Sequence, residues 1–373
     1  MRPKYFSMRL SHTLSLYIAR QYAMHFVAVL ALFVFLIFVF DVVELMRRAV
    51  GKPGIGMRTI FEMATLKFPH AMQLTFPFAV LFGSMVTFWR LTRSHELVVT
   101  RSAGVSAWQF LMPVLAVTLL IGLVRIAAIN PFSAIMLARY ERLDAVFLKS
   151  GSSALTLAGG GVWLRQGGSE GQVVLRSANI SVAGPRVELK PVIAFLYRGT
   201  DRFAGRIDAE SAVLGDGFWD MRNVWLHRTE ETAVFAATHR LPTELTLARI
   251  QDGFAAPETM SFWDLPQFID SLRTAGFSAL RHRLHLHSLL AAPFLMMAMV
   301  LLAATFTLRH VRHGGTPGII GFGVMTGFLV YFFSDVSLAL GLSSGIPVAL
   351  AAWTPAGVAG LIGVALLLHL EDG

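Results

Sequence analysis

The sequence predicts a polytopic α-helical membrane protein, with six transmembrane helices arranged three plus three around an inserted all-β, jellyroll-like domain. Two observations predict it: six long apolar stretches, and a polar, strand-rich segment between the third and the fourth of them. A hydrocarbon core about 30 Å thick requires roughly 20 apolar residues per helical crossing. The stretches that are long enough are 22–46, 65–89, 105–129, 284–308, 317–340 and 346–369.

Composition supports a membrane protein. Hydrophobic residues make up 55% of the 373 residues and charged residues 15%, which is too little charge to coat a soluble protein of this size. The net charge is +9, the arginines are grouped at the ends of the spans, and no basic run is interleaved with aromatic residues. This distribution indicates membrane topology rather than nucleic-acid binding. The absence of cysteine excludes disulfides, thiolate chemistry and Cys-type metal sites.

The distribution of Lys and Arg predicts the orientation of the spans. Short cytoplasmic segments carry an excess of these residues, and three segments on one side do so: Arg2, Lys4, Arg9 and Arg20 before the first span, Arg90, Arg93 and Arg101 after the second, and Arg309 and Arg312 after the fourth. Both termini are therefore predicted to be cytoplasmic. The β insert, which follows an odd number of spans, is predicted on the opposite, outer side.

These boundaries give a domain plan with four parts. Leu14, Tyr17 and Ile18 share one face of a short amphipathic helix that we expect to lie along the cytoplasmic membrane surface. The predicted parts are an amphipathic helix within 1–21, three spans within 22–130, the β domain and a connecting helix within 131–281, and three further spans within 282–373. Gly323-x-x-x-Gly327 in the fifth span permits close helix packing, by default within the subunit.

The cytoplasmic loop after the second span predicts a short helix within residues 93–106. Ser94 is a plausible N-cap, Glu96 is an acid in the first turn, and Gly104 is a stop signal. Glu96 then has two interpretations: it interacts favourably with the helix dipole, or it is an exposed acid that docks into a groove on a cytoplasmic partner, flanked by Arg93 and Arg101. The physical chemistry of the sequence leaves both open.

A basic cluster after the first span breaks the positive-inside pattern. This first-loop basic cluster consists of Arg47, Arg48, Lys52, Arg58 and Lys67. In one interpretation the side chains snorkel to lipid phosphates, which composition alone favours. In the other they form a cationic rim around a cavity that holds a multiply phosphorylated amphiphile. Because Asp41 and Glu44 lie one turn before the two arginines, part of the charge is open to pairing within the helix.

The inserted segment predicts an antiparallel sandwich or jelly roll. Short runs rich in β-branched and aromatic residues recur between Gly, Asn, Asp and Pro. The predicted strands are 162–166, 172–176, 192–197, 202–208, 218–227 and 233–239, and the pattern turns helical again over 262–281.

Two further groups of polar residues lie near or within the spans. An ionised Asp335 inside the fifth span costs about 2.5 to 3.5 kcal/mol unless it is paired or hydrated. A pair with Arg125 in the third span is one option and an outward, water-filled cavity is the other, and both a fold-stabilising role and a gating role stay open. His282, His285 and His287 stand together, but no neighbouring carboxylate completes a ligand set, so we predict no metal site. No G-x-x-x-x-G-K-[ST] motif is present, so we expect no ATP hydrolysis by this chain.

Several segments together resemble a known family. They are L-Y-I-A-R-Q at 16–21, D-V-V-E-L-M-R-R at 41–48, R-S-H-E-L-V-V-T-R-S-A-G-V-S at 93–106, G-V-W-L-R-Q-G at 161–167 and G-I-P at 345–347. In this order they resemble the inner-membrane permeases of the lipopolysaccharide export transporter, the LptF/LptG family, and more the LptG type than the LptF type. The resemblance covers essentially the whole chain.

The resemblance implies a function and partners. Such permeases work in pairs in the inner membrane of Gram-negative bacteria, with an ATP-binding dimer of the LptB type that uses ATP and Mg, an LptC-type single-span periplasmic protein and an LptA-type soluble bridge protein. It implies that this chain binds no cofactor of its own. It also implies that Glu96 enters the ATPase groove and that Arg47 and Arg48 face lipid phosphates, which reverses the preference for snorkelling. Asp41 and His70 stand where some relatives carry a basic residue, so the phosphate contacts are expected to be arranged differently here, with Lys52, Arg58 or Lys67 contributing.

Two other function classes stay open on the residues. A permease of another ATP-driven exporter, moving lipoproteins or peptides, also suits an outer domain. A lipid-modifying membrane enzyme needs a convergent acid and base set, and the chain offers only scattered candidates, namely Asp335, His282 and Glu44.

Overall fold

The computed structural model describes most of the chain, in two compact units. The described residues are 12–50, 56–102, 104–148, 155–157, 162–168, 171–183, 186–198, 202–228, 232–243, 245–246, 250, 255–274, 278–307 and 316–372. The helical unit comprises Met1–Tyr140, Glu258–Leu265 and Leu280–Gly373, and the β unit comprises Glu141–Pro257 and Pro266–Ala279.

Six described helices are long and apolar enough to cross a membrane, as predicted. The spans are His12–Ala49, Met57–Arg93, Ala107–Ala145, Leu280–Thr307, Gly321–Leu342 and Val348–His369. The corresponding helices are α1 (His12–Ala49), α2 (Met57–Arg93), α4 (Ala107–Val124) continued by α5 (Asn130–Phe147), α7 (Leu280–Thr307), α8 (Thr316–Leu342) and α9 (Val348–Asp372). The short helix α3 (Glu96–Ser102) lies between the second and third spans.

The first helix differs from the predicted arrangement at its start. α1 runs without a break from His12 through the apolar stretch to Ala49, so the residues expected to form a separate amphipathic helix are its first turns where they are described. No Gly or Pro occurs between His12 and Ala49 to end a helix there. Ile18, predicted on the apolar face, is buried in the core of the helical unit.

The third span contains a π turn. Ser106 caps α4 through a capping box in which its hydroxyl accepts from the Gln109 backbone N–H, while the Gln109 side chain accepts from the Ser106 backbone N–H. The helix then widens into a π turn over Arg125–Ile129 before α5 continues to Phe147. Such single π turns occur frequently at functional sites.

The core of the helical unit lies between α1, α2, α4 and α7. Tyr22, Phe88, Leu111 and Val300 are buried there. α8 packs on α2 through the predicted glycine pair, because a Cβ atom on Gly323 would stand 2.5 Å from Met85 Sδ and one on Gly327 would stand 3.3 Å from Leu81. Close packing of this motif within the subunit is thus confirmed.

The β unit contains one antiparallel sheet of seven described strands. They are β1 (Leu155–Leu157), β2 (Val162–Gly168), β3 (Gly171–Ala183), β4 (Arg186–Arg198), β5 (Arg202–Leu214), β6 (Phe218–Arg228) and β7 (Val234–Pro242). Each strand pairs with its neighbour in the sequence, so the predicted all-β insert is confirmed, with the hairpin connections of a meander rather than Greek-key crossovers. One row across the sheet pairs Leu164, Leu175, Ala194 and Ile207, all buried.

A short helix follows the sheet, as the sequence predicts. The one-turn 3₁₀ helix Pro257–Thr259 precedes α6 (Leu265–Thr274). Ile269 and Leu272 are buried, whereas Asp270 and Arg273 are exposed. α6 is therefore an amphipathic helix with one apolar face.

Candidate coupling and lipid-facing sites

The end of α1 holds its two arginines through one carboxylate. Arg47 Nε and Nη2 donate to the two oxygens of Glu44 at 2.8 Å and 2.9 Å, and Arg48 Nε donates to the same carboxylate at 2.8 Å. All three side chains are exposed. Pairing within the helix, which the spacing permitted, is confirmed for Glu44, and the two arginines together with Glu44 leave one net positive charge at this helix end.

Asp41, the other acid near the end of α1, pairs with a residue of a different helix. Asp41 accepts from Lys67 Nζ at 2.5 Å, and this ion pair joins α1 to α2. The carboxylate is largely buried and the ammonium group about one-third exposed. Phe38 and Phe68 pack edge to face beside it, with ring centroids 6.0 Å apart. Lys67 therefore links two spans and is already neutralised by Asp41.

The first-loop basic cluster has two further members, Arg58 and Lys52. Arg58 is exposed in the first turn of α2, where it is available to a ligand. Lys52 lies outside the described residues. Within the described part of the cluster, three of the four basic side chains form ion pairs inside the chain, through Glu44 and Asp41.

The loop after α2 presents Glu96 at the start of α3. His95 has a positive φ of 62° and separates α2 from α3, while Gly104, with φ of 84°, follows its end. Glu96 is half-buried, and its carboxylate accepts from Ser94 Oγ at 2.9 Å. The predicted short helix is confirmed within the predicted range, and it has seven residues.

Leu97 fixes α3 to the bundle. Its side chain is 4% exposed and belongs to the core of the helical unit, whereas Val99 is 66% exposed. Arg93 is exposed and lies over the Trp89 ring, with Cζ 5.2 Å from the ring centroid. Arg101 lies within α3, and its side chain is outside the described part. The helix thus has one anchored face and one open face.

Three hydrogen-bonded pairs form a polar network between the first three spans. Arg90 donates to Gln21 Oε1 at 3.4 Å, His25 Nδ1 lies 2.9 Å from Thr87 Oγ1, and Tyr22 and Thr118 share a hydrogen bond of 2.8 Å. These contacts link α1, α2 and α4 at the level just before α3. Sequence reasoning missed the network, because its members are single polar residues inside apolar helices.

The structure does not pair Asp335 with Arg125. Asp335 is exposed on α8, whereas Nε and Nη1 of Arg125 are buried without a hydrogen-bond partner among the described residues. Instead, Arg125 shares its surroundings with His285, which in turn lies within electrostatic range of Glu258, His70 and His282. Sequence reasoning placed no carboxylate near these histidines and missed Glu258, which belongs to a distant part of the sequence.

The segment around Glu258 is held on the π turn. Asn130 Oδ1 accepts from the Phe262 backbone N–H at 2.8 Å, and the Ala127 carbonyl accepts from Trp263 Nε1 at 3.3 Å. His282 is buried. No group of three or more His, Asp or Glu side chains that could hold a metal ion occurs among the described residues.

Comparison with known proteins places this arrangement in a family. Residues 16–369 match the family model described as lipopolysaccharide export system permease LptF/LptG. The lipopolysaccharide export system permease protein LptG of Escherichia coli K12 is 24% identical over 327 residues, which cover 85% of this chain and 86% of that protein. LptG of Haemophilus influenzae is 25% identical over 321 residues, covering 83% and 85%. The resemblance seen in the sequence motifs is confirmed, and the chain belongs to the LptF/LptG family of lipopolysaccharide export system permeases.

Proposed function

We propose that the chain is the non-catalytic permease subunit of an ATP-driven exporter. It extracts lipopolysaccharide from the inner membrane of a Gram-negative bacterium and passes it to a periplasmic bridge toward the outer membrane. The observation that carries the proposal is the family match over residues 16–369, which spans both the membrane helices and the β insert. The β unit is then periplasmic and both termini are cytoplasmic, as the distribution of Lys and Arg predicts.

The partners follow from the same proposal. A dimer of LptB-type ATPases binds ATP and Mg, an LptF-type paralogue completes the cavity, and an LptC-type protein continues the β domain into an LptA-type bridge. This chain contributes no catalytic group and binds no cofactor. Movement of α3, driven by the ATPase, would narrow the cavity. The narrowing drives the lipid out only because the lipid binds the open and the closed cavity with different affinities.

Glu96 is the proposed contact to the ATPase. Its carboxylate accepts a hydrogen bond from Ser94 Oγ at the N-terminus of α3, and Leu97 fixes the helix behind it. An acid at this position can pair with a basic group in a partner's groove while its own helix stays docked on the bundle.

Co-purification tests the proposal. The complex is captured through a tag on the paralogous permease, and the ATPase recovered with it is measured for the wild type, Glu96→Lys and Glu62→Lys. Glu62 is an exposed acid near the opposite end of α2, so its variant controls for charge reversal. We expect Glu96→Lys to lose most of the ATPase while the chain stays in the membrane.

Two outcomes would contradict the proposal. Wild-type recovery of the ATPase with Glu96→Lys would exclude the docking role of α3. If the purified wild-type complex retained a lipid of another class, identified by mass after extraction, the assignment of lipopolysaccharide as cargo would be overturned.

A further inference from the structure

Arg125 is enclosed in the helical unit without an acceptor for its charge. Its Nε and Nη1 atoms are out of contact with solvent and donate to no partner among the described residues. The residue opens the π turn of the third membrane span. Its guanidinium carbon stands 6.0 Å from the centroid of the Phe76 ring, a contact that stabilises a cation but accepts no conventional hydrogen bond.

Three acids are candidate counter-ions for Arg125, and none of them pairs with it. Asp41 is bound to Lys67, Asp335 is exposed on α8, and Glu258 acts on His70 and His285. Nε and Nη1 of Arg125 are buried, and no described acid interacts electrostatically with its guanidinium. The described chain therefore supplies no counter-charge to this guanidinium.

His285 adds a second enclosed nitrogen in the helical unit. Its Nε2 atom is out of contact with solvent and has no hydrogen-bond partner among the described residues, and the side chain lies within electrostatic range of Arg125. α7 and the π turn thus each contribute at least one enclosed nitrogen that can donate a hydrogen bond. A buried unpaired cation is among the most costly arrangements in a protein interior.

We propose that Arg125 and His285 bind a small inorganic anion, with chloride as the probe, inside the helical unit. A guanidinium only donates hydrogen bonds, so its missing partners must be acceptors. An anion supplies both the acceptor and the counter-charge, whereas a water molecule supplies only the first. The enclosure of Nε and Nη1 by the chain's own atoms favours a small ion over a bulky lipid headgroup. This inference does not depend on the transport function.

Thermal unfolding of the full-length protein in detergent tests the proposal. Chloride is replaced by gluconate at constant ionic strength, and the unfolding midpoint is followed as chloride is added back. We expect a saturable rise of the midpoint for the wild type, reproduced by bromide. Arg125→Gln should abolish this rise, while Arg273→Gln, the variant of an exposed arginine in α6, should retain it. His285→Asn should raise the half-saturating chloride concentration on the order of tenfold, the effect of losing one hydrogen bond to a charged partner.

Three results would overturn the inference. The first is a wild-type midpoint that does not respond to chloride, and the second is an equal response in Arg125→Gln. The third is stabilisation by added phosphatidylglycerol but not by chloride, which would assign the guanidinium to a lipid phosphate. If Arg125→Gln does not fold, anomalous diffraction from wild-type crystals grown in bromide decides: a bromide within hydrogen-bond distance of Arg125 is expected, and a water molecule or empty density there would contradict the proposal.

Discussion

The two charged ends of α2 differ in how their charges are compensated. Beyond its C-terminal end, the Glu96 carboxylate accepts a hydrogen bond from Ser94, and within the described part of the chain it forms no ion pair with a basic side chain. Near its N-terminal end, Lys67 is bound by Asp41, and on α1 both Arg47 and Arg48 are bound by Glu44. A helix of this length, at about 1.5 Å per residue, keeps the two regions far apart.

This difference indicates two ways of using charge. The acid on α3 is positioned by backbone geometry and by one buried leucine, so it is presented ready for a partner. Three of the four described basic residues of the first-loop basic cluster already have counter-ions, so an anionic ligand of Arg47 and Arg48 has to exchange with Glu44. Substitutions at α3 should therefore have strong effects on one step, the docking of the ATPase. Substitutions that affect the exposed pairing of Glu44 with Arg47 and Arg48 should have weak effects that depend on salt.

The largest effect is expected from removing the anchor of α3. Leu97→Ala deletes a buried side chain, and such a truncation costs about 2–5 kcal/mol. Because α3 has only seven residues and marginal stability of its own, this loss should release it from the bundle. Trypsin should then cleave after Arg93 or Arg101 much faster in detergent-purified protein, and recovery of the ATPase should fall.

Val99→Ala provides the matched control for the anchor. Val99 belongs to the same helix and is 66% exposed, so its truncation should change stability by about 0.5 kcal/mol or less. Equal trypsin sensitivity of the Leu97 and Val99 variants would show that α3 is not held by its apolar face, and the contrast between the two ends of α2 would lose its structural basis.

The sequence predicted the spans well because each is a long apolar run, and it predicted their ends poorly. A helix can continue past the hydrocarbon core until a breaker stops it, and α1 has none from His12 to Ala49. The strands were predicted too short for a similar reason. β3 extends to Ala183 and β4 begins at Arg186, because pairing with neighbours holds Ser- and Asn-containing stretches that have little strand propensity of their own.

The sites show where reasoning from the sequence ends. The ion pairs of Glu44 with both arginines could be predicted from helical spacing. The ion pair of Asp41 with Lys67 could not, because it depends on how α1 and α2 pack. The π turn has no marker in R-I-A-A-I at 125–129. The approach of Glu258 to His285 depends on the chain returning from the β unit to the helices, which no local pattern encodes.

An intermediate effect is expected at the ion pair between α1 and α2. Asp41→Asn and Lys67→Met each leave one partly buried charge unpaired, and each should lower the free energy of unfolding by about 1–3 kcal/mol, between the values for exposed and buried pairs. The double variant should recover part of this loss. Thermal unfolding in detergent measures all three, and strictly additive losses would show that the two side chains do not interact.

The smallest effect on stability is expected from Glu44→Gln, which releases Arg47 and Arg48 from an exposed carboxylate. Stability should stay at the wild-type value, because exposed ion pairs contribute little. If the two arginines face lipid phosphates, the freed charges should increase the lipopolysaccharide that co-purifies by less than about fivefold.

The dependence on salt decides whether Glu44 competes with the cargo. Added salt screens exposed charges, so the gain in Glu44→Gln should shrink as the ionic strength of the wash rises. Glu62→Gln should match the wild type throughout, because Glu62 is an exposed acid of α2 that forms no ion pair within the described part of the chain. Cargo retention that is the same in both variants would mean that the carboxylate on α1 does not compete with the lipid. Arg47 and Arg48 would then fix the end of α1 rather than hold the headgroup, and they would differ from Glu96, whose carboxylate is presented to a partner.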